Sequence, residues 1–234
     1  MCGRYTLFVE PETLEERFDA RFEEAFSPTY NAAPGQRLPV ITDEKPAEIG
    51  RLEWGLVPAW ADDDHGGLIN ARAETVAEKP SFRDAYEARG GECGRCLVLA
   101  DGFYEWVEES GGKRPYRVAF EDDRPFAMAG LWARREPETT QVGFEAFGED
   151  AAEPESEILE TFTIVTTEPN DLVADLHHRM ATILEPGEER RWLTDDDPQD
   201  VFEPYPSAEM RAYPVSKAVN SPATDEPSLV EPLE

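Results

Sequence analysis

CLVLADGFYEW, residues Cys96 to Trp106, holds two short apolar runs parted by an Asp-Gly pair. Runs of this length and composition predict strands at Cys96–Ala100 and Phe103–Val107, with a turn at Asp101-Gly102. The pattern repeats outward in both directions. Arg37–Thr42, Arg51–Leu56, Tyr116–Phe120, Pro125–Trp132 and Phe162–Thr167 are further strand candidates, several bounded by Gly, Pro or Asp, as at Gly111-Gly112. Helical periodicity is confined to three places. In Pro11–Phe22, Leu14, Phe18 and Phe22 recur at four-residue spacing behind a first-turn proline. Asn170–His178 and a stretch after Pro186 that includes Trp192 also read as helix, whereas Tyr30–Gly35 reads as loop. Glu136–Glu160 is acidic and rich in small residues, a surface excursion between strands. Many short strands and few helices predict one β-rich α+β domain over residues 1–234, with a curved, barrel-like sheet and peripheral helices.

The chain carries 51 Asp+Glu against 22 Lys+Arg, a net charge of −29. Four of the basic residues are lysines (Lys45, Lys79, Lys113, Lys217) and the rest are arginines. Abundant carboxylate with little lysine points to a source rich in salt, since at about 1 M the Debye length falls to roughly 3 Å and self-repulsion is screened. The alternative is an ordinary acidic protein. Disorder fits poorly, because apolar and aromatic residues recur along most of the chain. Taken alone, the charge argues against a nucleic-acid partner, for such binders carry a basic footprint. The first residues, MCGRYTLF, lack a basic stretch and apolar core, and no run of about 18 apolar residues occurs. A cytoplasmic protein with no membrane contact is expected.

Three cysteines make no disulfide framework. Cys93 and Cys96 form a C-x-x-C pair, but a structural zinc site needs four ligands and no second pair accompanies them. No metal or cofactor is expected; Cys96 reads as a buried thiol ahead of an apolar strand, and Cys93 as incidental. Cys2 differs by position. Removal of Met1 would leave an amine and a thiol on adjacent carbons, with pKa values of about 7.7–8.0 and about 8.5. Such a pair condenses with an aldehyde: the amine forms an imine and the thiol closes a five-membered thiazolidine. By position alone, Cys2 reads better as a small residue at a frayed end.

The surroundings of Cys2 decide between these readings. MCGRY, YNAAPGQ (Tyr30–Gln36), WGLVPAW (Trp54–Trp60), INARAET (Ile69–Thr75), CLVLADGFYEW, FTIVTT (Phe162–Thr167) and LHHRMATIL (Leu176–Leu184) occur in that order. Together they resemble the SOS response-associated peptidase family, the abasic-site processing proteins, from Met1 to about Ser221. The resemblance implies a curved β-sheet core, a DNA-facing groove and an N-terminal cysteine that crosslinks to abasic single-stranded DNA. It further implies that Cys2 is the nucleophile, Asn70 holds the terminal residue and the opened sugar, Glu105 is the catalytic acid and His177 the catalytic histidine. The departures are Ala181 where proline usually follows Arg-Met, and Leu99 where proline commonly precedes Ala-Asp-Gly.

The chemistry asks for these residue types. Loss of water from a carbinolamine needs a group that both gives and takes protons, which Glu105 can be if burial raises its pKa. Opening a closed sugar needs an acid near the ring oxygen, a task suited to His177. Asn70 can donate and accept without competing for the proton. Without the family, Glu105 would read as the solvent-facing position of a strand. Adjacent helical positions point about 100° apart, so His178 is expected at the surface when His177 faces the site; His65, in DDDHGG, is expected to be solvated.

Arg4, Arg72, Arg179, Trp54, Trp60, Trp106 and Thr166 are the DNA-groove candidates. Arginine forks suit phosphate and tryptophan faces suit bases, with stacking worth about 1–3 kcal/mol per base at any salt. Trp54 and Trp60 read equally well as core. The expected partners are abasic single-stranded DNA and the replication machinery, met by a monomer associated with the nucleoid when bound. Two rival readings share these residues: an N-terminal-nucleophile peptidase or amidohydrolase, self-removal of Met1 included, and a noncatalytic DNA-binding module.

Overall fold

The computed structural model describes residues 3–61, 67–88, 90–135 and 158–233. In chain order the elements are β1 (Tyr5–Leu7), α1 (Pro11–Phe18), β2 (Arg21–Phe22), β3 (Thr29–Ala32), β4 (Arg37–Thr42), β5 (Glu48–Trp54), β6 (Asn70–Arg72) and α2 (Pro80–Glu87). There follow β7 (Cys93–Ala100), β8 (Gly102–Glu109), β9 (Gly112–Phe120), β10 (Phe126–Arg135), β11 (Leu159–Thr167), α3 (Asp171–Ala174), β12 (Met180–Ala181), β13 (Ile183–Leu184), α4 (Pro186–Thr194) and β14 (Met210–Pro214). Most of the segment 136–160, with Cys2 and His65, lies outside the described residues.

Strands β5, β4, β7, β10 and β11 pair in that order, and a parallel contact of β11 with β5 (Phe162 beside Trp54) closes them into a ring. The barrel expected from the strand pattern is this ring. A second sheet runs β14-β9-β8-β1-β3. Trp54 joins the two: its ring stacks on Phe162 of the barrel at 6.2 Å and meets Tyr5 of the second sheet at 5.3 Å. Strands β7 and β10 are buried almost end to end. Both their faces are covered, one by the barrel interior and one by helices, so they read as continuous apolar runs.

Helices α2 and α4 close that outer face, and a buried cation fixes them. Arg95 donates to the carbonyls of Tyr86 (2.8 Å), Trp192 (2.8 Å), Asp195 (2.7 Å) and Asp196 (3.1 Å). These oxygens lie at the ends of α2 and α4, where helix carbonyls lack intrahelical partners and the helix dipole is negative.

Three local readings need correction. The first helix stops at Phe18, because Asp19 adopts a left-handed conformation (φ 49°) and Arg21–Phe22 then pairs with β5. The helix over Asn170–His178 shrinks to Asp171–Ala174: Asn170 caps its start, and the N–H of Arg179 bonds to the His177 ring. A side-chain acceptor has displaced the helical hydrogen bond. Residues Tyr30–Ala32, read as the start of a loop, belong to β3 and pair with β1.

Candidate active site

The chain changes sheets at Asp101. Strand β7 ends in the barrel and β8 begins in the second sheet, with no pairing between them. The Asp101 carboxylate is buried and accepts from Thr6 Oγ1 (2.6 Å) and from the amides of Phe8 (2.5 Å) and Val9 (3.2 Å). This corner therefore anchors β1 beside β8. Tyr5 pairs with Phe103, and the Arg4 carbonyl accepts the Tyr104 amide at 3.0 Å. The N-terminal segment is thereby led toward Glu105.

A cleft of about 450 Å³ opens there, lined by Gly3, Arg4, Glu105, Trp106, Lys113, His177 and Asn220. Glu105 is 2% exposed, and burial pushes its carboxyl up to about 7. It is thus a buried acid and not the solvent-facing position of its strand. His177 is half-buried, and burial lowers its pKa. Its Nδ1 lies 3.1 Å from the Arg179 amide and 3.0 Å from the Arg179 carbonyl. A neutral ring accepting from that amide carries its hydrogen on Nε2; a charged ring donates to the carbonyl instead. The same backbone serves both protonation states. His178 is exposed, as expected, with its ring 4.2 Å from that of His177.

Arg4 is held by Asn31 Oδ1 (3.2 Å) and the Val219 carbonyl (2.8 Å). Asn31 in turn donates to the carbonyls of Val219, Ser221 and Thr224. Trp106 Nε1 donates to Asn220 Oδ1 at 2.8 Å. The C-terminal segment is therefore tied down as one wall of the cleft. Asn70 opens β6, which runs parallel to β11. Arg72, two residues on, is exposed.

Three groove candidates are internal. Trp54, 1% exposed, is core, with Nε1 donating to the Ile69 carbonyl at 2.9 Å. Thr166 is buried and donates to the Ala71 carbonyl at 3.1 Å. Arg179 is buried in a two-pronged pair with Glu74 (2.5 and 3.0 Å) and donates to the Thr166 carbonyl. None of the three presents a free surface to a nucleic acid in this arrangement. Trp60, by contrast, is 57% exposed.

Sequence reading missed Glu74, Lys113, Asn220 and the Asp101 corner. Glu74 lies inside INARAET, and its spacing from Arg72 gave no sign that it would meet Arg179. Cys96 is fully buried, as expected, and burial raises its thiol well above the ordinary value; Cys93 is half-buried. Three positions apart on one strand, they point to opposite faces and cannot chelate together. Among the described residues no group of three or more His, Cys, Asp or Glu is placed to hold a metal, and no helix is long and apolar enough to cross a membrane.

Known proteins resemble this chain along nearly its whole length. The abasic site processing protein YoqW of Bacillus subtilis (strain 168) is 41% identical, over 99% of each chain. The abasic site processing protein HMCES of Gallus gallus is 31% identical over 96% of this chain and 70% of its own. A crystal structure of a Bacteroides thetaiotaomicron protein matches the fold with a TM-score of 0.79 at 26% identity, covering 100% of both chains. The family described as SOS response associated peptidase (SRAP) matches residues 1–222. The chain belongs to the SOS response-associated peptidase family.

Proposed function

We propose that the protein captures abasic sites in single-stranded DNA as a covalent thiazolidine, formed by the α-amine and thiol of Cys2 after Met1 is removed. The observation that carries this reading is the company of Gly3. One peptide bond from Cys2, it shares a cleft with a buried acid, Glu105, and with His177. The names of the curated relatives, abasic site processing proteins, support the lesion as substrate.

The chemistry balances with water as the only by-product. The closed sugar opens when His177 gives a proton to the ring oxygen and Glu105 takes one from the C1′ hydroxyl. The Cys2 amine attacks the C1′ aldehyde, and its proton passes to the carbonyl oxygen. Glu105 then protonates the departing hydroxyl while the nitrogen gives its second proton to His177, restoring both groups and leaving an imine. Finally the thiol sulfur adds to C1′ and its proton goes to nitrogen. A carboxyl near 7 holds both of its forms at neutral pH, which suits a group used in both directions. Asn70 on β6 orients the terminal residue and the sugar.

Intact mass before and after mixing with an abasic oligonucleotide tests this. The expected result is a chain lacking Met1, then a heat-stable adduct equal to protein plus oligonucleotide minus one water. Cys2→Ala should lose the stable adduct, while its remaining amine still forms an imine and nicks the strand by β-elimination. Peptide turnover without any adduct would favour an N-terminal-nucleophile hydrolase. Unchanged crosslinking in Cys2→Ala would sink the thiazolidine.

A further inference from the structure

Two of the four lysines stand at or beside the rim of this cleft. We propose that they form a phosphate track for the incoming single strand, Lys113 contacting the phosphate next to the lesion and Lys217 one further along; this rests on the function proposed above. Lys113 lines the cleft with Glu105 and His177. It lies on the β8–β9 hairpin, opposite Glu108 in register. Its Nζ is 3.7 Å from Glu108 Oε1, and both side chains are mostly exposed, 64% and 74%. Such a pair is loose, screened by salt and readily exchanged for a phosphate oxygen. Lys217 reaches the turn of the same hairpin, donating to the Gly111 carbonyl at 3.2 Å.

Three arginines, Arg4, Arg114 and Arg179, are committed to the protein. Arg4 binds Asn31 and Val219, Arg114 binds Glu109 at 2.7 Å, and Arg179 binds Glu74. Lys45, away from the cleft, is clasped by Glu23 (2.7 Å) and Glu48 (3.0 Å). Of the two Arg/Lys side chains lining the cleft, Arg4 and Lys113, the weakly held ammonium of Lys113 is the one a phosphate can take over with less rearrangement. A lysine suits this place because its charge sits on a flexible stem that can follow a mobile backbone. Glu108 is then the group displaced, so removing its charge and removing that of Lys113 must act in opposite directions.

The test is noncovalent binding of a single strand carrying a tetrahydrofuran site, which has no aldehyde, over salt concentrations at which the protein stays folded. Each lost single-strand phosphate contact lowers the log–log salt slope by about 0.7. Lys113→Gln should bind more weakly by that slope change, so its gap from wild type closes about threefold over a fivefold rise in salt. Lys217→Gln should show a like change, and Glu108→Gln should bind more tightly. Wild-type slope and affinity in Lys113→Gln, with wild-type crosslinking of true abasic DNA intact, would overturn the track alone. Absence of crosslinking by the wild type would instead overturn the function on which it rests.

Discussion

The Asp101 carboxylate lies 3.2 Å from the Arg117 guanidinium, with both side chains almost wholly buried, at the corner where the chain leaves the barrel for the second sheet. Arg117 also donates to the Asp101 carbonyl (2.9 Å) and the Tyr213 hydroxyl (2.9 Å). It packs so closely that a Cβ on Gly102 would fall 2.7 Å from its nitrogens. One ion pair thus fixes the corner, while the same carboxylate holds Phe8 and Val9. The start of β1, and with it the N-terminal segment, is positioned from this point.

Asp101→Asn keeps the shape but removes the charge, leaving Arg117 with the half-exposed Asp123 as its one acidic partner among the described residues. Breaking a buried pair on one side costs about 3–5 kcal/mol, and Asp123 should hold the loss near the lower figure. The urea midpoint should fall, and amide exchange at Phe8 and Val9 should quicken. Arg117→Met in the same chain should recover part of the stability. A variant with the wild-type midpoint would show that the pair holds nothing.

Glu105 gives a pH dependence of definite sign. Burial raises its folded pKa from 4.5 to about 7, so between those values the native state keeps a proton that the unfolded chain has lost. Its contribution to stability is full below about 4.5, declines as pH rises and is gone above about 7. Glu105→Gln should therefore gain on wild type by an amount on the order of 3 kcal/mol between about pH 4 and pH 8. The wild-type adduct rate should break near pH 7, and that break should vanish in the same variant. Parallel stability curves for the two proteins would contradict a raised Glu105.

Glu74 acts on the site through Arg179. The two-pronged pair fixes Arg179, whose own amide and carbonyl flank the Nδ1 of His177. Glu74→Gln should slow adduct formation, by up to about a hundredfold if the ring shifts by an ångström. Glu74→Asp should restore part of the rate. Because Glu74 is half-exposed, the fold should survive, and the His177 ring resonances should move. Unmoved resonances with an unchanged rate would remove Glu74 from the site.

How far the sequence discloses this arrangement depends on the range of the interaction. Strands β4, β7 to β11 and helix α4 were legible because short apolar runs and turn residues are local signals. The Asp101-Gly102 pair was also legible as a break, but not as a change of sheet, since that depends on Arg117, Thr6 and Phe8 far away in the chain. Only the ordered motifs single out Glu105 and His177, which line one cleft; nothing in FYEW separates a buried acid from a solvated one. For the same reason the burial of Arg179 and Thr166 does not show in the sequence. A motif fixes which residues matter, while their partners, here Glu74 and the Ala71 carbonyl, decide whether they face a ligand or the interior.

The tryptophans of WGLVPAW divide sharply on this point, and the division can be measured. Trp54 fills the joint between Phe162 and Tyr5, so Trp54→Ala should lose about 3–5 kcal/mol, as large core truncations do. Its effect on DNA binding should follow from unfolding and disappear where both proteins are fully folded. Trp60 is mostly exposed, so Trp60→Ala should leave stability within about 0.5 kcal/mol. If the Trp60 ring stacks on a base, the same change weakens single-strand binding by about 1–3 kcal/mol, and the loss persists in concentrated salt, where a phosphate contact fades. A Trp60→Ala protein that binds like wild type in strong salt would confine recognition to the cleft, with Trp106 as its aromatic wall.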